Sequence, residues 1–299
     1  MEDKNLLDIE QLTLKKKDYS RLLLIIGTVV MALFVAIGVL DAIGGLETGL
    51  EWVDWLAIGL MAFCGPYGFY TTYQFKRIRD IESRLPDFLR DVSEGGRFGM
   101  TLADSIKVSS RGRYGRLTPE IQRMAAQIDW GVPATDAIKL FIDRVDTPLV
   151  RRMTSIVIKA NDAGGNVADV LDMVAHDARE TLLNRNERSI AMSTYTVVIY
   201  VAFAVFLATI FILNSTFLPQ MIKAGNQISE GTENMSGVPI QVQSDVVPEV
   251  QLIFVISVVI HAFGDGILAG VLQDGRVANG LRHSFIMLLI GLIGTRVLG

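Results

Sequence analysis

His261 and Asp265 stand four positions apart inside a long apolar stretch, a spacing that sets an imidazole and a carboxylate on one face of a helix. Charging a carboxylate inside a membrane is expensive, so such a residue is a candidate functional group. Its plainer use is a polar clamp between helices or between subunits. A chemical use is intramembrane aspartyl proteolysis, in which two carboxylates share one proton at the bond to be cut. That chemistry requires Gly-x-Gly-Asp on one helix and a second aspartate on another. Here Ala262 stands where the first Gly belongs, and the other candidate, Asp41, sits at the end of an apolar stretch. Gly266 and Gly270, four apart on the same segment, allow a second helix to approach closely.

A second set of carboxylates recurs in a pattern. GMTLADSI from Gly99, GVPATDAI from Gly131 and GGNVADVL from Gly164 all read Gly-x-x-apolar-x-Asp-x-Ile/Leu, spaced 32 and 33 residues apart. The chemistry is that of a helix joint: Gly ends one helix in left-handed backbone, and Thr101, Pro133 or Asn166 opens the next. Asp104 and Asp169 fall three residues after a capping residue, as in a capping box. Capping is one account of these aspartates. Contact with a partner protein is the sharper one, with Asp104, Asp136, Asp162 and Asp169 as the candidates. No aromatic-rich repeat signature accompanies the period, so a solenoid is not indicated.

Other chemistries lack their residues. The chain has no Gly-x-x-x-x-Gly-Lys-Ser/Thr loop and no Gly-Lys pair at all, which excludes a P-loop nucleotidase. Neither His-Glu-x-x-His nor Gly-x-Ser-x-Gly occurs, and no catalytic residue of a soluble hydrolase is recognisable. Cys64 is the sole cysteine and His176, His261 and His283 are scattered, so no disulfide, metal site or cofactor is expected.

These residues must be held by membrane helices. Five apolar stretches run from Leu22 to Leu40, Trp55 to Phe75, Ser189 to Ile222, Val250 to Gln273 and His283 to Thr295, and the first three carry no charge. About 20 apolar residues cross a bilayer, so four are long enough and the fifth is short. The first reads as an uncleaved signal anchor. The net charge of −4 hides an asymmetry: 26 of the 28 Lys and Arg lie in the N-terminal segment, the block 74–190 and the link 274–282. The loops 41–54 and 219–249 hold eight acids against Lys223. With two spans before the block, the positive-inside rule makes the N-terminus and the block cytoplasmic. Arg296 then falls at the outer end and breaks the rule. Lys76, Arg77 and Arg79 at one join, and Arg179, Arg185 and Arg188 at the other, suit anionic lipid at about 1 kcal/mol each. With 19 bases against 17 acids and no interleaved aromatics, the block offers no nucleic-acid platform.

Punctuation inside the block gives helices near 74–94, 101–110, 118–130, 133–145, 148–162 and 166–190. Thr118-Pro119 and Thr147-Pro148 read as caps followed by a first-turn proline. The expected fold is all-α, with about five transmembrane helices and a cytoplasmic bundle of about six. Its divisions are a cytoplasmic segment 1–20, spans 21–75, the bundle 76–190, a third span 191–218, an extracytoplasmic loop 219–249 and the last spans 250–299. Ser189 to Ile222 holds 34 uncharged residues. Either one helix carries the bundle into the membrane, or Asn214 to Ile222 lies at the outer interface, and the two are compatible.

The run RLPDFLRDVSEGGRFGMTLADSI, followed by NDAGGNVADVL before a long membrane helix, resembles the F domain of type II secretion and type IV pilus inner-membrane platform proteins. The tail HAFGDGILAGVLQDGRVANGLRH, with Gly266, Gly270, Gly275 and Gly280, is similar to the C-terminal end of archaeal pilus and archaellum platform proteins. Together they cover about two thirds of the chain. The resemblance implies a non-enzymatic platform in the cell membrane that couples a cytoplasmic hexameric secretion ATPase to insertion of pilin-like subunits into a filament. The family's Gly-rich acidic stretch maps onto Asp162, Gly164, Gly165 and Asp169, and its Leu-Pro-Asp-Phe-Leu helix onto Leu85 to Leu89. Many members carry two such domains, whereas this chain has one. A homodimer or a sister subunit is therefore implied. In this setting His261, Asp265, Gly266 and Gly270 are candidates for packing or for handling a pilin helix. The alternatives are a prepilin-type aspartyl peptidase, which the Asp265 motif matches poorly, and a membrane scaffold or transporter. A transporter would show interrupted helices in repeated halves, which the five stretches lack.

Overall fold

In the computed structural model, residues 19–44, 51–232 and 246–297 are described, and every regular element among them is helical. The expected segment 1–20 lies almost wholly outside these residues, as does 233–245 of the expected loop. The helices are α1 (Ser20–Ala42), α2 (Trp52–Glu82), α3 (Leu85–Arg97), α4 (Leu102–Ser109), α5 (Thr118–Asp129), α6 (Ala134–Val145), α7 (Pro148–Asp162), α8 (Val167–Ile212), α9 (Leu218–Thr232), α10 (Val246–Asp274) and α11 (Val277–Val297). They form two compact units, one of residues 73–188 and one of residues 19–72 and 189–299. Helices α2 and α8 contribute to both.

The first unit is a bundle built on helical periodicity. Leu85, Phe88, Leu89 and Val92 on α3 are buried, as are Ile121, Met124, Ala125 and Ile128 on α5, and Ala137, Ile138, Phe141 and Ile142 on α6. Each set follows i, i+3, i+4, i+7 or its close variant, the stripe that one helix turns to a core. Leu149, Val150, Met153 and Val157 on α7 and Leu171, Val174 and Ala178 on α8 complete it. Glu82 is buried beneath this core, where it accepts from the Leu149 N–H at 3.1 Å and from Arg185 at 2.9 Å.

The three repeats are helix joints of one design. Gly99, Gly131 and Gly164 have φ of +82°, +91° and +69°. The N–H after each glycine donates to the carbonyl five residues back: Met100 to Gly95, Val132 to Gln127 and Gly165 to Ala160. This is the long bond of a Schellman motif, and it satisfies carbonyls the ending helix leaves free. At the first joint the Thr101 hydroxyl oxygen accepts from the Asp104 N–H at 3.2 Å and the hydroxyl donates to the Asp104 carboxylate at 2.7 Å. Thr101→Ala is expected to cost about 1 kcal/mol in thermal unfolding, the worth of such a cap.

Sequence punctuation erred at two places. Thr118 does not cap α5: it is already helical, and its hydroxyl oxygen accepts from the Tyr114 N–H at 2.8 Å across a short 3₁₀ turn, Gly115–Leu117. Thr147 caps α7 as expected, accepting from the Val150 N–H at 3.3 Å. The segment 74–94 breaks at residues 83–84, so α3 is a separate helix with Pro86 in its first turn.

Among the described residues, four helical runs are long and apolar enough to cross a membrane: Ser20–Ala42, Val167–Gly225, Glu249–Asp274 and Val277–Arg296. This is a multi-pass helical membrane protein, with α2 outside that set rather than the short last helix. Gly59, Gly65, Pro66, Tyr67, Gly68, Tyr70, Thr71 and Thr72 dilute its apolar run. Packing explains the dilution. Gly59 faces Phe34 and Met31 of α1, Gly65 faces Phe285, and Gly68 lies against the backbone of Leu281 and Arg282. A helix covered by neighbours needs less apolar surface of its own.

Helix α8 runs through the expected third span, and a π-helical turn, Leu213–Phe217, joins it to α9. The change of register falls at Asn214, where the interfacial segment was expected to begin. Residues 219–232 of the expected outer loop are helical, as part of α9.

Candidate functional site

In the bundle, α3, α5 and α7 run one way and α4, α6 and α8 return. Arg144 near the end of α6 pairs with Glu120 near the start of α5 at 3.0 Å. Arg152 on α7 pairs with Asp177 on α8 at 3.2 Å, at nearly the same distance along the chain on either side of the Gly164 joint. Arg97 at the end of α3 reaches Asp172 near the start of α8 at 2.8 Å. Lys107 on α4 also reaches Asp129, two residues before Gly131, at 3.7 Å, so all three glycine joints lie at one end of the bundle. Asp104, Asp136, Asp162 and Asp169 are all exposed there.

Their local roles differ. Asp104 closes its cap and pairs with Lys107 at 3.1 Å. The Thr101 hydroxyl, then Lys107, holds its carboxyl below the usual value. A carboxyl depressed in the folded state supports the fold above its unfolded value and loses that support as pH falls through the folded one. The start of α4 is thus the acid-sensitive cap. Asp136 pairs with Lys139 at 2.9 Å, and that carboxylate raises the lysine's pKa. Asp169 accepts from the Asn166 side chain at 2.6 Å, so the third joint has a cap-like bond between side chains. Asp162 is the last residue of α7.

The aspartates share this end with two aromatic residues that the pattern reading passed over. Phe98 and Trp130, each just before a joint glycine, are 83% and 91% exposed. The third copy has Ala163 in that place. The signal was legible as an aromatic–Gly pair in two of three copies. Exposed aromatics among paired charges suit protein docking, where rigid apolar anchors carry most of the binding energy and a polar rim surrounds them.

In the membrane unit Gly266 and Gly270 both face α11. A Cβ on Gly266 would strike the backbone of Ser284, and one on Gly270 would strike the backbone of Gly280. The hairpin of α10 and α11 is therefore closed backbone to backbone, with the Ser284 hydroxyl donating to the Phe263 carbonyl at 2.8 Å. His261 and Asp265 do share a face, with Nδ1 and Oδ2 3.7 Å apart, and the imidazole lies against the ring of Phe206 at 4.4 Å. Asp265 thus stands beside an imidazole, and Ala262, at the place of the missing glycine, is fully buried. Arg296, anomalous by the charge rule, forms an ion pair with Asp54, which is 2% exposed. Sequence reading missed Asp54 because the two lie 242 positions apart.

Residues 88–214 match the family model described as type II secretion system (T2SS), protein F, a stretch that runs from α3 into the π turn after α8. An uncharacterized protein of Methanocaldococcus jannaschii is 26% identical over 239 residues, covering 80% of this chain. The matched segment is 37% of the length of that relative. No solved structure matches the chain. The three glycine joints and the first membrane helix beyond them thus fall inside the matched stretch, with Ile81 and Leu85 of the bundle core just before it, and residues 88–214 are similar to the type II secretion system protein F family.

Proposed function

We propose that this protein is the membrane platform of a type II secretion-related, type IV pilus-like filament machine. It takes its work from a cytoplasmic hexameric secretion ATPase and passes it to the insertion of pilin-like subunits, with no catalysis of its own. The observation that carries this reading is the family match over residues 88–214, which includes all three joints. The bundle end with Asp104, Asp136, Asp162, Asp169, Phe98 and Trp130 is the docking face for the ATPase. The excess of Lys and Arg in the block and the link 274–282 supports a cytoplasmic side for both. The matched relative is more than twice as long as the segment it shares with this chain, which favours a platform completed by a second copy or a sister subunit.

The test replaces Cys64 by Ser, introduces single cysteines at positions 104, 136 and 169, and crosslinks in cells that make the filament. A covalent adduct with a P-loop secretion ATPase is the expected result at one or more of the three positions. Adducts with lipid or with this chain alone, together with filaments that persist after deletion of the gene, would remove the reading.

A further inference from the structure

We propose that the face of α10 bearing His261 and Asp265 docks one transmembrane helix of a different polypeptide, recognised through a hydrogen-bond donor or cation that this guest carries near the middle of the bilayer. The inference does not rest on the filament reading. It starts from position. The membrane-crossing part of α10 runs over Glu249–Asp274, so both residues fall in its central turns, where hydrocarbon supplies no hydrogen-bond partner.

Ionisable side chains at that depth nearly always turn to a bundle interior or bind one another closely. These do neither fully. The His261 side chain is 53% exposed and that of Asp265 30%, and their 3.7 Å separation is too long for a hydrogen bond. Phe206 covers one side of the imidazole. The remaining donor and acceptor capacity points outward from the unit.

The same face continues into a cavity. Phe254, seven positions before His261 and so close to it in angle, lines a space of about 710 Å³ between α8, α10 and α11. Its wall includes Phe203, Leu207, Phe211 and Ile290, and it reaches Asn214 and Gln251, which are hydrogen-bonded to each other at 3.0 Å. Apolar groove and polar pair thus follow one line along α10, the form of a helix-in-groove site.

Charge chooses among occupants. An acyl chain fills apolar space but offers nothing to a carboxylate. A second copy related by a twofold axis along the membrane normal would set His261 against His261 and Asp265 against Asp265, like against like. A helix of another sequence, with an amide or ammonium group at matching depth, satisfies both residues and fills the groove.

The test uses the full chain in phosphatidylcholine vesicles and energy transfer to synthetic Leu/Ala helices of about 22 residues. One helix carries a central Lys, one a central Asn, and one is wholly apolar. The polar helices are expected to bind about 5- to 30-fold more tightly than the apolar one, the range of an interhelical hydrogen bond in lipid. His261→Ala with Asp265→Ala should erase that difference, and Asp265→Asn should retain the Asn helix while losing the preference for Lys. Equal binding of all three helices would overturn the proposal. So would self-association of the chain that is abolished by the same substitutions.

Discussion

Arg296→Ala is expected to lower stability by about 3–5 kcal/mol, because it strands a carboxylate that has almost no contact with solvent. Asp54 is 2% exposed, at the start of α2, and its carboxylate also accepts from the Glu51 N–H at 3.0 Å. Arg296 reaches both carboxylate oxygens, with Nε at 3.3 Å from Oδ1 and a closer contact from the guanidinium to Oδ2. A fork of this kind binds a carboxylate in a fixed plane, so lysine does not replace it. The decisive comparison is the double variant Asp54→Asn with Arg296→Gln. Removing both charges together should restore most of the loss, since the penalty comes from the unpaired ion rather than from the missing bond. Unfolding in mild detergent, followed by the fluorescence of Trp52 and Trp55, reads both variants. A loss below about 1 kcal/mol for Arg296→Ala would mean that the pair is solvated like an ordinary surface bridge.

The other large effect belongs to the hairpin of α10 and α11. Gly270→Leu is expected to abolish the folded protein, because even the first carbon of the new side chain would occupy the backbone position of Gly280. Overpacking commonly costs about 1–3 kcal/mol when neighbouring side chains can yield, and more when, as here, the obstacle is main chain. Gly270→Ala should already show a clear loss of thermal stability. Gly264 on the same helix supplies the control, since nothing lies within 4 Å of its absent Cβ. Gly264→Ala should be neutral or slightly stabilising, given the poor helix propensity of glycine. Equal effects of alanine at 264 and 270 would show that propensity, and not close approach, sets the requirement.

These cases mark what sequence could and could not reveal. The joints were legible because their causes are local: a glycine that must adopt positive φ, an opening cap and an apolar stripe all lie within eight residues. Gly266 and Gly270 were legible as a spacing, although their partners Ser284 and Gly280 were not. Asp54 and Arg296 were not legible as a pair, because only the folded chain brings such distant positions together. The weakness of α2 as an apolar helix was hidden for the same reason, since its cover comes from Phe34 and Phe285, far along the chain. Asp146, at φ +43°, joins α6 to α7 without glycine. An aspartate between a valine and a threonine-proline pair signals a turn only weakly, and its left-handed backbone is fixed by the helices on either side. Thr118 shows the opposite failure, a correct residue type in the wrong role, because Tyr114 competes for its hydroxyl.

The glycine joints also separate architecture from identity at the end of the bundle. Each turn is held by main-chain hydrogen bonds, and no atom lies within 4 Å of where a Cβ would stand on Gly99, Gly131 or Gly164. The neighbouring positions 98 and 130 project almost wholly into solvent and bear no weight of the core. Their side chains can therefore be exchanged without a folding penalty, which leaves the surface at this end of the bundle free to change while the helices beneath it stay as they are.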